Sequence, residues 1–430
     1  MQDSPKSLSQ WLSHLETLHP ETIELGLERI RTVANRLCLG KLSKTVITVG
    51  GTNGKGSTIE MLQCLLLASG QKVGCYTSPH LFHYTERVRI DGKQVSERDM
   101  CRAFEQVEQA RGTVSLTYFE FGTLAAFVIF QKQPLDYVLL EVGLGGRLDA
   151  VNIIDADVAV LTTVGIDHQA WLGDNREAIG LEKAAICRAG RPFFIGESKP
   201  PQSVLNLATD AGAHIALQNR EFGFETDPKS NNWAWWIEEK GDRRSLRDLP
   251  MPSLPIQNAS LVLAVYQFLG FKLAKDAISE VMENVSLTGR YQRISAPKAT
   301  LLDVAHNPQA ASYLADRLQA NLPKGRIVAL ISVLNDKQPS EMVSVLAPLV
   351  DNWHVFEAPS SRVLPKEALA KVVAEETGKE PRIHSIISTG LHEIYSQMSQ
   401  QDLLLVFGSF FAVAAALDVI NQLDEINPSG

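Results

Sequence analysis

Val46-Ile47-Thr48-Val49-Gly50-Gly51-Thr52-Asn53-Gly54-Lys55-Gly56-Ser57-Thr58 is the stretch whose reading decides the architecture of this chain. An apolar, β-branched run enters a glycine-rich turn, and Lys55 stands where that turn feeds a helix. A helix N-terminus presents unpaired N–H groups and the positive end of a dipole, so it favours anions. Glycines let the backbone curl closely around an oxygen-rich ligand, and lysine adds a point charge for outer phosphates. Met61, Leu62, Leu65 and Leu66 follow at helical spacing. Strand, glycine loop and amphipathic helix therefore come in the order a phosphate cradle requires, and the chain reads as a nucleotide user.

The common phosphate loop is G-x-x-x-x-G-K-[ST], with a hydroxyl directly after lysine to hold Mg²⁺. Here Val49 stands five residues before Gly54, and Gly56 separates Lys55 from Ser57. The plainer alternative is a strand-to-helix turn with a solvated lysine. The sequential context argues against it.

At 430 residues the chain is too long for one ordinary core, so two domains are expected. With 45% hydrophobic and 21% charged residues it has globular composition. A net charge of −8 argues against a nucleic-acid surface. The nearest basic cluster, Arg243, Arg244 and Arg247, reads as a solvated loop. The five cysteines (Cys38, Cys64, Cys75, Cys101, Cys187) form no C-x-x-C pair, which suits reduced thiols in a cytoplasmic protein. There is no secretory pattern at the N-terminus and no run of about 18 apolar residues, so no membrane association is expected. Leu8, Trp11, Leu12 and Leu15 give a first helix one packing face.

Strands are expected at Thr45–Val49, Val73–Thr77, Tyr137–Val142, Val158–Val164 and Pro192–Gly196. Helical stretches such as Phe119–Gln131 and Arg176–Ala189 lie between them, the alternation of a parallel α/β sheet. From Leu217 to Leu254 the texture changes. Turn signals at Asp227-Pro228 and Lys240-Gly241, with Trp233, Trp235 and Trp236, predict a small antiparallel insert. Those tryptophans either stack on a heterocycle or cover the insert's own sheet, and strand enrichment of aromatics favours the second. A further series of strands follows at Thr300–Val304, Arg326–Ile331, Asn352–Phe356 and Leu403–Phe407. The domain boundary is placed near residues 287–297.

Polar residues gather at strand ends, where open α/β sheets bind ligands. Ser78-Pro79-His80 follows one strand. Glu141 ends an apolar run and needs a partner there. Gly143-Leu144-Gly145-Gly146-Arg147-Leu148-Asp149 can approach a ligand closely, and Asp167-His168 follows another strand. A hydroxyl, a carboxylate and an imidazole beside a phosphate loop make a magnesium cage, although magnesium prefers oxygen donors. Spacing alone leaves His168 open between ligand and ordinary hydrogen-bonded histidine. In the second half, Asp303-Val304-Ala305-His306-Asn307-Pro308 puts an acid and an imidazole just past a strand. Asp303 there either grips a nucleotide's ribose or adenine, or only organises the turn.

Five ordered motifs resemble folylpolyglutamate synthases, and most closely the bacterial bifunctional enzymes that are also dihydrofolate synthases: Gly51–Ser57, Ser78–Leu81, Thr117–Glu120, Glu141–Ala150 and Asp303–Pro308. The resemblance runs from Leu25-Gly26-Leu27-Glu28-Arg29 to Gly408-Ser409-Phe410. The displaced serine of the phosphate loop is itself a mark of that family, whereas the related Mur ligases carry threonine directly after the lysine. The resemblance implies an α/β chain of two domains. Residues 1–289 would form an ATP- and pterin-binding domain with a mainly parallel sheet and a small antiparallel insert. Residues 290–430 would form a smaller Rossmann-like glutamate-ligase domain, with ATP in the cleft between the two.

The implied reaction is ATP-dependent ligation of L-glutamate to 7,8-dihydropteroate and to the γ-carboxylate of tetrahydrofolate, through an acyl phosphate. Carried over by position, Thr52, Asn53, Gly54, Lys55, Gly56 and Ser57 would hold the triphosphate. Asn258, Arg290, Asp303 and His306 would serve the nucleotide. Ser78, Glu141 and His168 would ligate magnesium, two ions in all. Glu24, Leu25, Gly26, Thr117, Tyr118, Phe119, Glu120, Leu148, Asp149 and Ala150 would line the pterin site, with aromatic faces for stacking and carboxylates accepting from pterin N–H groups. Lys55, His168 and Lys183 would be the catalytic residues, Lys183 carrying an N6-carboxylate. Phe411 stands where many relatives have His or Tyr, so it is given no role. Asp336-Lys337 and Ser360-Ser361-Arg362 are candidates for the glutamate site. A cytoplasmic protein without nucleic-acid or membrane partners is expected from the composition, and a monomer by default, since no coiled-coil pattern is evident. The alternatives are a folylpolyglutamate synthase alone, a Mur-type ligase, and a non-catalytic nucleotide-binding module. Gly56 and the lack of an extra UDP-binding domain count against the Mur-type reading, and glutamate-dependent turnover would separate an enzyme from the binding module.

Overall fold

The structure is a computed structural model that describes residues 6–426 apart from 20, 22, 228, 229, 240 and 296. Of the expected turn residues, Pro228 and Lys240 lie outside the described residues. The chain divides into two compact units. One comprises residues up to Gly165 together with Ala170–Val285; the other comprises Ile166–Gln169 and the residues from Ser286 onward.

The larger unit is built on eight strands: β1 (Thr45–Gly50), β2 (Val73–Tyr76), β3 (Val88–Ile90), β4 (Lys93–Gln94), β5 (Tyr137–Glu141), β6 (Val158–Leu161), β7 (Pro192–Ile195) and β8 (His214–Leu217). Their order is β4-β3-β2-β5-β1-β6-β7-β8. Pairing is parallel throughout except where β3 meets β2 and β4. Val46, Ile47 and Val49 are all buried, as expected of a strand covered on both faces. The helices Lys55–Ala68 and Tyr118–Phe130 cover this sheet, and the second is buried over nearly its whole length. The first helix, Leu8–Thr17, buries Leu8, Trp11 and Leu15, as its apolar stripe requires.

Several strands end earlier than their apolar runs suggest. β2 stops at Tyr76, β5 at Glu141, β6 at Leu161 and β7 at Ile195. Beyond Tyr76, Thr77 bonds back to the carbonyl of Arg87, and beyond Leu161 the threonines Thr162 and Thr163 turn to the glycine loop. Likewise the helix from Arg176 ends at Ala184 rather than Ala189, because the Arg188 guanidinium takes the carbonyls of Ala185, Ile186 and Cys187. Both hydroxyls and the guanidinium compete with ladder or helix bonds for backbone groups.

The insert is a three-stranded antiparallel sheet of β9 (Phe222–Asp227), β10 (Asn232–Glu239) and β11 (Asp242–Pro250), in the order β11-β10-β9. Trp233 and Trp235 are buried in it, their indole N–H groups donating to the carbonyls of Pro250 (2.9 Å) and Ser260 (3.0 Å). They cover the insert's own sheet and present no face to a ligand. Arg243, Arg244 and Arg247 lie on β11 rather than in a loop, exposed along this edge strand. Arg243 stacks on Trp236 and pairs with Glu225.

The smaller unit holds β12 (Gln292–Ile294), β13 (Thr300–Leu302), β14 (Ile327–Ile331), β15 (Asn352–Phe356), β16 (Arg382–His384) and β17 (Leu403–Phe407). The order is β12-β13-β17-β14-β15-β16, parallel but for β12. Its core is aliphatic, with Leu301, Ile331, Val355, Leu405 and Phe407 fully or almost fully buried. All five cysteines are free. Among the described residues no helix is long and apolar enough to cross a membrane.

Candidate active site

Because β1, β2, β5 and β6 are parallel neighbours, their C-terminal ends lie along one edge of the large sheet. The glycine loop leaves β1 there. Gly51 has φ 142°, and a Cβ on it would lie 1.9 Å from Thr162 Oγ1; Gly54 has φ 86° and caps the helix Lys55–Ala68. Only glycine takes both positions without strain. The loop is braced from β6, since the Thr162 and Thr163 hydroxyls donate to the Asn53 carbonyl at 2.6 and 3.2 Å. Thr52 Oγ1 accepts from the Gly165 N–H at 3.0 Å. Lys55 Nζ folds over the loop, donating to the carbonyls of Gly51 (3.0 Å) and Thr52 (3.2 Å). Ser57 is buried in the first helical turn. From a helix 204 residues further along the chain, Asn258 Nδ2 donates to the Gly54 carbonyl at 3.2 Å.

At the end of β5, the Glu141 carboxylate is buried and accepts the Ser78 N–H at 3.1 Å. The Ser78-Pro79 peptide is cis. A hydroxyl-bearing residue and a carboxylate are thus brought together beside the loop, and both are oxygen donors of the kind a hard cation takes. His168 belongs to the smaller unit's segment Ile166–Gln169 and has a left-handed backbone, φ 52°. Among the described residues no group of three or more His, Cys, Asp or Glu side chains is placed to hold a metal ion by itself. Lys183, near the end of the helix Arg176–Ala184, is buried, and its Nζ donates to the Gly51 carbonyl at 3.2 Å. That helix is stitched to the Gly143–Asp149 loop through the Arg147 N–H to the Glu182 carbonyl, 3.0 Å.

The residues expected at the pterin also gather in the larger unit. The Phe119 ring lies directly on Gly143, where any Cβ would come within 2.5 Å of it. Tyr118 and Phe119 are half-buried at the start of their helix, which Thr117 and Glu120 close with a capping box. Asp149 is occupied inside the protein: it accepts the N–H groups of Leu144 (2.7 Å) and Val151 (3.0 Å) and caps the short helix Ala150–Ile153. Burial pushes its carboxyl up to about 6, against the pull of those N–H groups and of Lys55. Leu148 lies in the same loop. Glu24 and Glu120 are both held by Arg29.

In the smaller unit, Asp303 accepts the N–H groups of Tyr291 and Ala305, each at 2.8 Å. Burial raises its carboxyl, and the Arg290 guanidinium is the leading opposing influence. The Arg290 guanidinium lies over the Phe410 ring (4.7 Å), and the His306 ring meets Phe410 at a tilt of 47°, 6.0 Å between centroids. Asp167 is nearly sealed among Lys337 (2.6 Å), Asn307 (3.1 Å) and His306 (3.5 Å). Burial opposes its ionisation, but His306 and Lys337 outweigh that and hold it far below the usual carboxylate range. Asp336 joins the same patch, pairing with Lys337 at 3.7 Å and Arg362 at 3.3 Å. Phe411 is exposed beside Phe410.

Thr162, Thr163 and Arg29 act in these arrangements without having been singled out in the sequence. The threonines carried one usable signal, two hydroxyls straight after a buried run. Arg29 carried none beyond its place in the motif from Leu25.

An amide ligase that consumes a nucleoside triphosphate needs a phosphate cradle on an α/β unit, and this chain is of that class. Residues 289–410 match the family model described as Mur ligase, glutamate ligase domain. The chain is 42% identical over 414 residues to the dihydrofolate synthase/folylpolyglutamate synthase of Escherichia coli (strain K12), covering 96% of each. It is similar to the solved structure of E. coli FolC in complex with DHPP and ADP, with TM-score 0.91, 40% identity, and 97% and 98% of the two chains covered. It is also similar to a bifunctional folylpolyglutamate synthase/dihydrofolate synthase with Mn, AMPPNP and L-glutamate bound, with TM-score 0.89, 42% identity, and the same coverage. The chain belongs to the dihydrofolate synthase/folylpolyglutamate synthase family.

Proposed function

We propose that this protein is an ATP-dependent acid–amino-acid ligase that joins L-glutamate to 7,8-dihydropteroate, giving dihydrofolate, and to the γ-carboxylate of tetrahydrofolate, giving polyglutamates. The observation that carries the reading is the placement, at one sheet edge, of the glycine loop, Lys55, Glu141 and Lys183 in the same unit as Phe119 and Gly143. Solved structures of relatives in complex with DHPP and ADP, and with Mn, AMPPNP and L-glutamate bound, support this reading.

In the reaction a substrate carboxylate oxygen attacks the γ-phosphorus of ATP and ADP leaves. The nitrogen of glutamate then attacks the acyl carbon; phosphate leaves and the nitrogen loses its proton. Lys55 and the N–H groups of residues 52–57 hold the triphosphate and neutralise its charge, the main demand of phosphoryl transfer. Asn258 buttresses that loop. Arg290, Asp303 and His306 are assigned to the nucleotide within their own unit, residues 290–430 supplying the glutamate-ligase domain and residues 1–289 the ATP and pterin domain. Ser78, Glu141 and His168 are the residues assigned to magnesium, which when bound offsets phosphate charge. Lys183 is assigned an N6-carboxylate: it is buried beside the glycine loop, and a lysine amine in its neutral form captures CO₂. The free cysteines and ordinary composition fit a cytoplasmic location.

The test is a mass-resolved ligation assay with ATP, Mg²⁺ and L-glutamate, run separately with 7,8-dihydropteroate and with tetrahydrofolate. Product from both is expected. Product from one assigns a single activity, and product from neither removes the proposal.

A further inference from the structure

Two segments assigned to the pterin, Glu24–Gly26 and Thr117–Glu120, are joined by the side chain of Arg29, which lies 91 residues from Glu120. Arg29, in the first turn of the helix Glu28–Arg36, places Nη1 on the Glu24 carboxylate and donates from Nη2 to the Glu24 carbonyl at 3.0 Å. The same Nη2 reaches Glu120 Oε1 at 3.3 Å. Glu120 is buried, and its other oxygen accepts the Thr117 N–H at 2.8 Å, closing the capping box that starts the helix bearing Tyr118 and Phe119. The second Glu24 oxygen meets His19 Nε2 at 2.9 Å. Every carboxylate oxygen in this cluster therefore already has a partner inside the protein.

That arrangement changes what these acids do. Glu120 and Glu24 have their charge and their first acceptor positions taken by Arg29, Thr117 and His19, so they are poorly disposed to read a pterin directly. Their shared guanidinium instead sets the distance between the Glu24–Gly26 strip and the Tyr118–Phe119 aromatic face. Arg29 Nε is buried without a hydrogen-bond partner among the described residues. A guanidinium seated with one N–H unsatisfied is placed for what it bridges. Lysine, a single point charge, cannot span two carboxylates and a carbonyl in a plane.

We infer that Arg29 is a positioning residue for the pteridine substrate, fixing the spacing of the two segments that receive it while taking no part in phosphoryl or acyl transfer. The inference rests on the proposed function. Its signature is selective: the pteridine's affinity should depend on Arg29, whereas the nucleotide site and the chemistry should not.

The experiment compares wild type, Arg29→Met and Arg29→Lys in the ligation assay with 7,8-dihydropteroate, alongside melting temperatures and direct titration of dihydropteroate by fluorescence. Arg29→Met should raise the KM and the Kd for dihydropteroate about tenfold, with kcat within about threefold and the KM for ATP unchanged. Arg29→Lys should fall between the two. An unchanged KM and Kd for dihydropteroate in a folded Arg29→Met variant overturns the inference. So does a parallel rise in the KM for ATP with a fall in kcat, which would mean general loosening. If Arg29→Met does not fold, Arg29→Lys carries the test, and a wild-type KM in that variant overturns it. An inactive wild type strikes the functional reading itself, whereas an active wild type with an indifferent Arg29→Met strikes only the role of Arg29.

Discussion

Asn258 Nδ2 donates to the carbonyl of Gly54 at 3.2 Å, closing the phosphate loop from a helix 204 residues further along the chain. Gly54 also has no room for a side chain: its φ is 86°, and a Cβ would stand 2.5 Å from that same amide nitrogen. Gly54→Ala should therefore lose about 1–3 kcal/mol through backbone strain together with the clash. Adding Asn258→Ala removes the clash but not the strain, so the double variant should recover part of the loss. Thermal denaturation of the three variants checks this, and a double variant no better than Gly54→Ala would contradict it.

Lys55 is the nearest cation to the glycine loop's carbonyls and is assigned to the triphosphate. Lys55→Ala should fold normally by circular dichroism and lose about a hundredfold or more in kcat, the usual effect of losing one preorganised electrostatic donor. Near wild-type turnover in the folded variant would count against the cradle.

Lys183 is buried where an anionic oxygen beside the loop is proposed. Protein equilibrated with ¹³C-bicarbonate should show a carbamate carbon resonance that Lys183→Ala abolishes. A spectrum identical in both proteins would remove the modification.

The smaller unit carries a pH-sensitive pair. His354 Nδ1 and His384 Nε2 lie 2.8 Å apart, both rings are buried, and Glu393 stands 3.8 Å from His384 with Arg382 nearby. Burial, then the His384 and Arg382 charges, lowers the His354 imidazole to about 4, and burial lowers His384 as well. An unfolded histidine titrates near 6.5. Above that pH both states are neutral and the pair contributes no slope. Between about 6.5 and 4 the unfolded chain takes up protons that the folded pair refuses, so stability falls as pH falls, by on the order of 2–3 kcal/mol. Urea midpoints at pH 7.5, 6 and 5 should decline, and more steeply than in His354→Phe. Equal slopes in the two proteins would exclude the pair as the cause.

The local features were legible because they are written in contiguous residues. The run Val46–Val49, its glycine turn and the helical spacing after Lys55 together specify strand, loop and helix, and the structure places them there. The short strands β3, β4, β8, β12 and β16 escaped notice because two to four residues carry too little periodicity to register. The early strand ends escaped because the apolar run continues past the last ladder bond. Arg243, Arg244 and Arg247 were misplaced in a loop because an exposed edge strand and a solvated loop share the same polar composition.

By itself, then, the sequence determined the class of fold, the phosphate loop and the family, since each depends on residue types at fixed local spacing. Only the tertiary structure decided which groups those residues meet. It gave Trp233 and Trp235 to the insert's core, tied Asp167 to Lys337 and His306, braced the glycine loop with Thr162, Thr163 and Asn258, and committed Glu24 and Glu120 to Arg29. The reason is physical: a buried carboxylate, amide or hydroxyl must find a partner, and which partner depends on chain segments brought together from 91, 109 or 204 residues away.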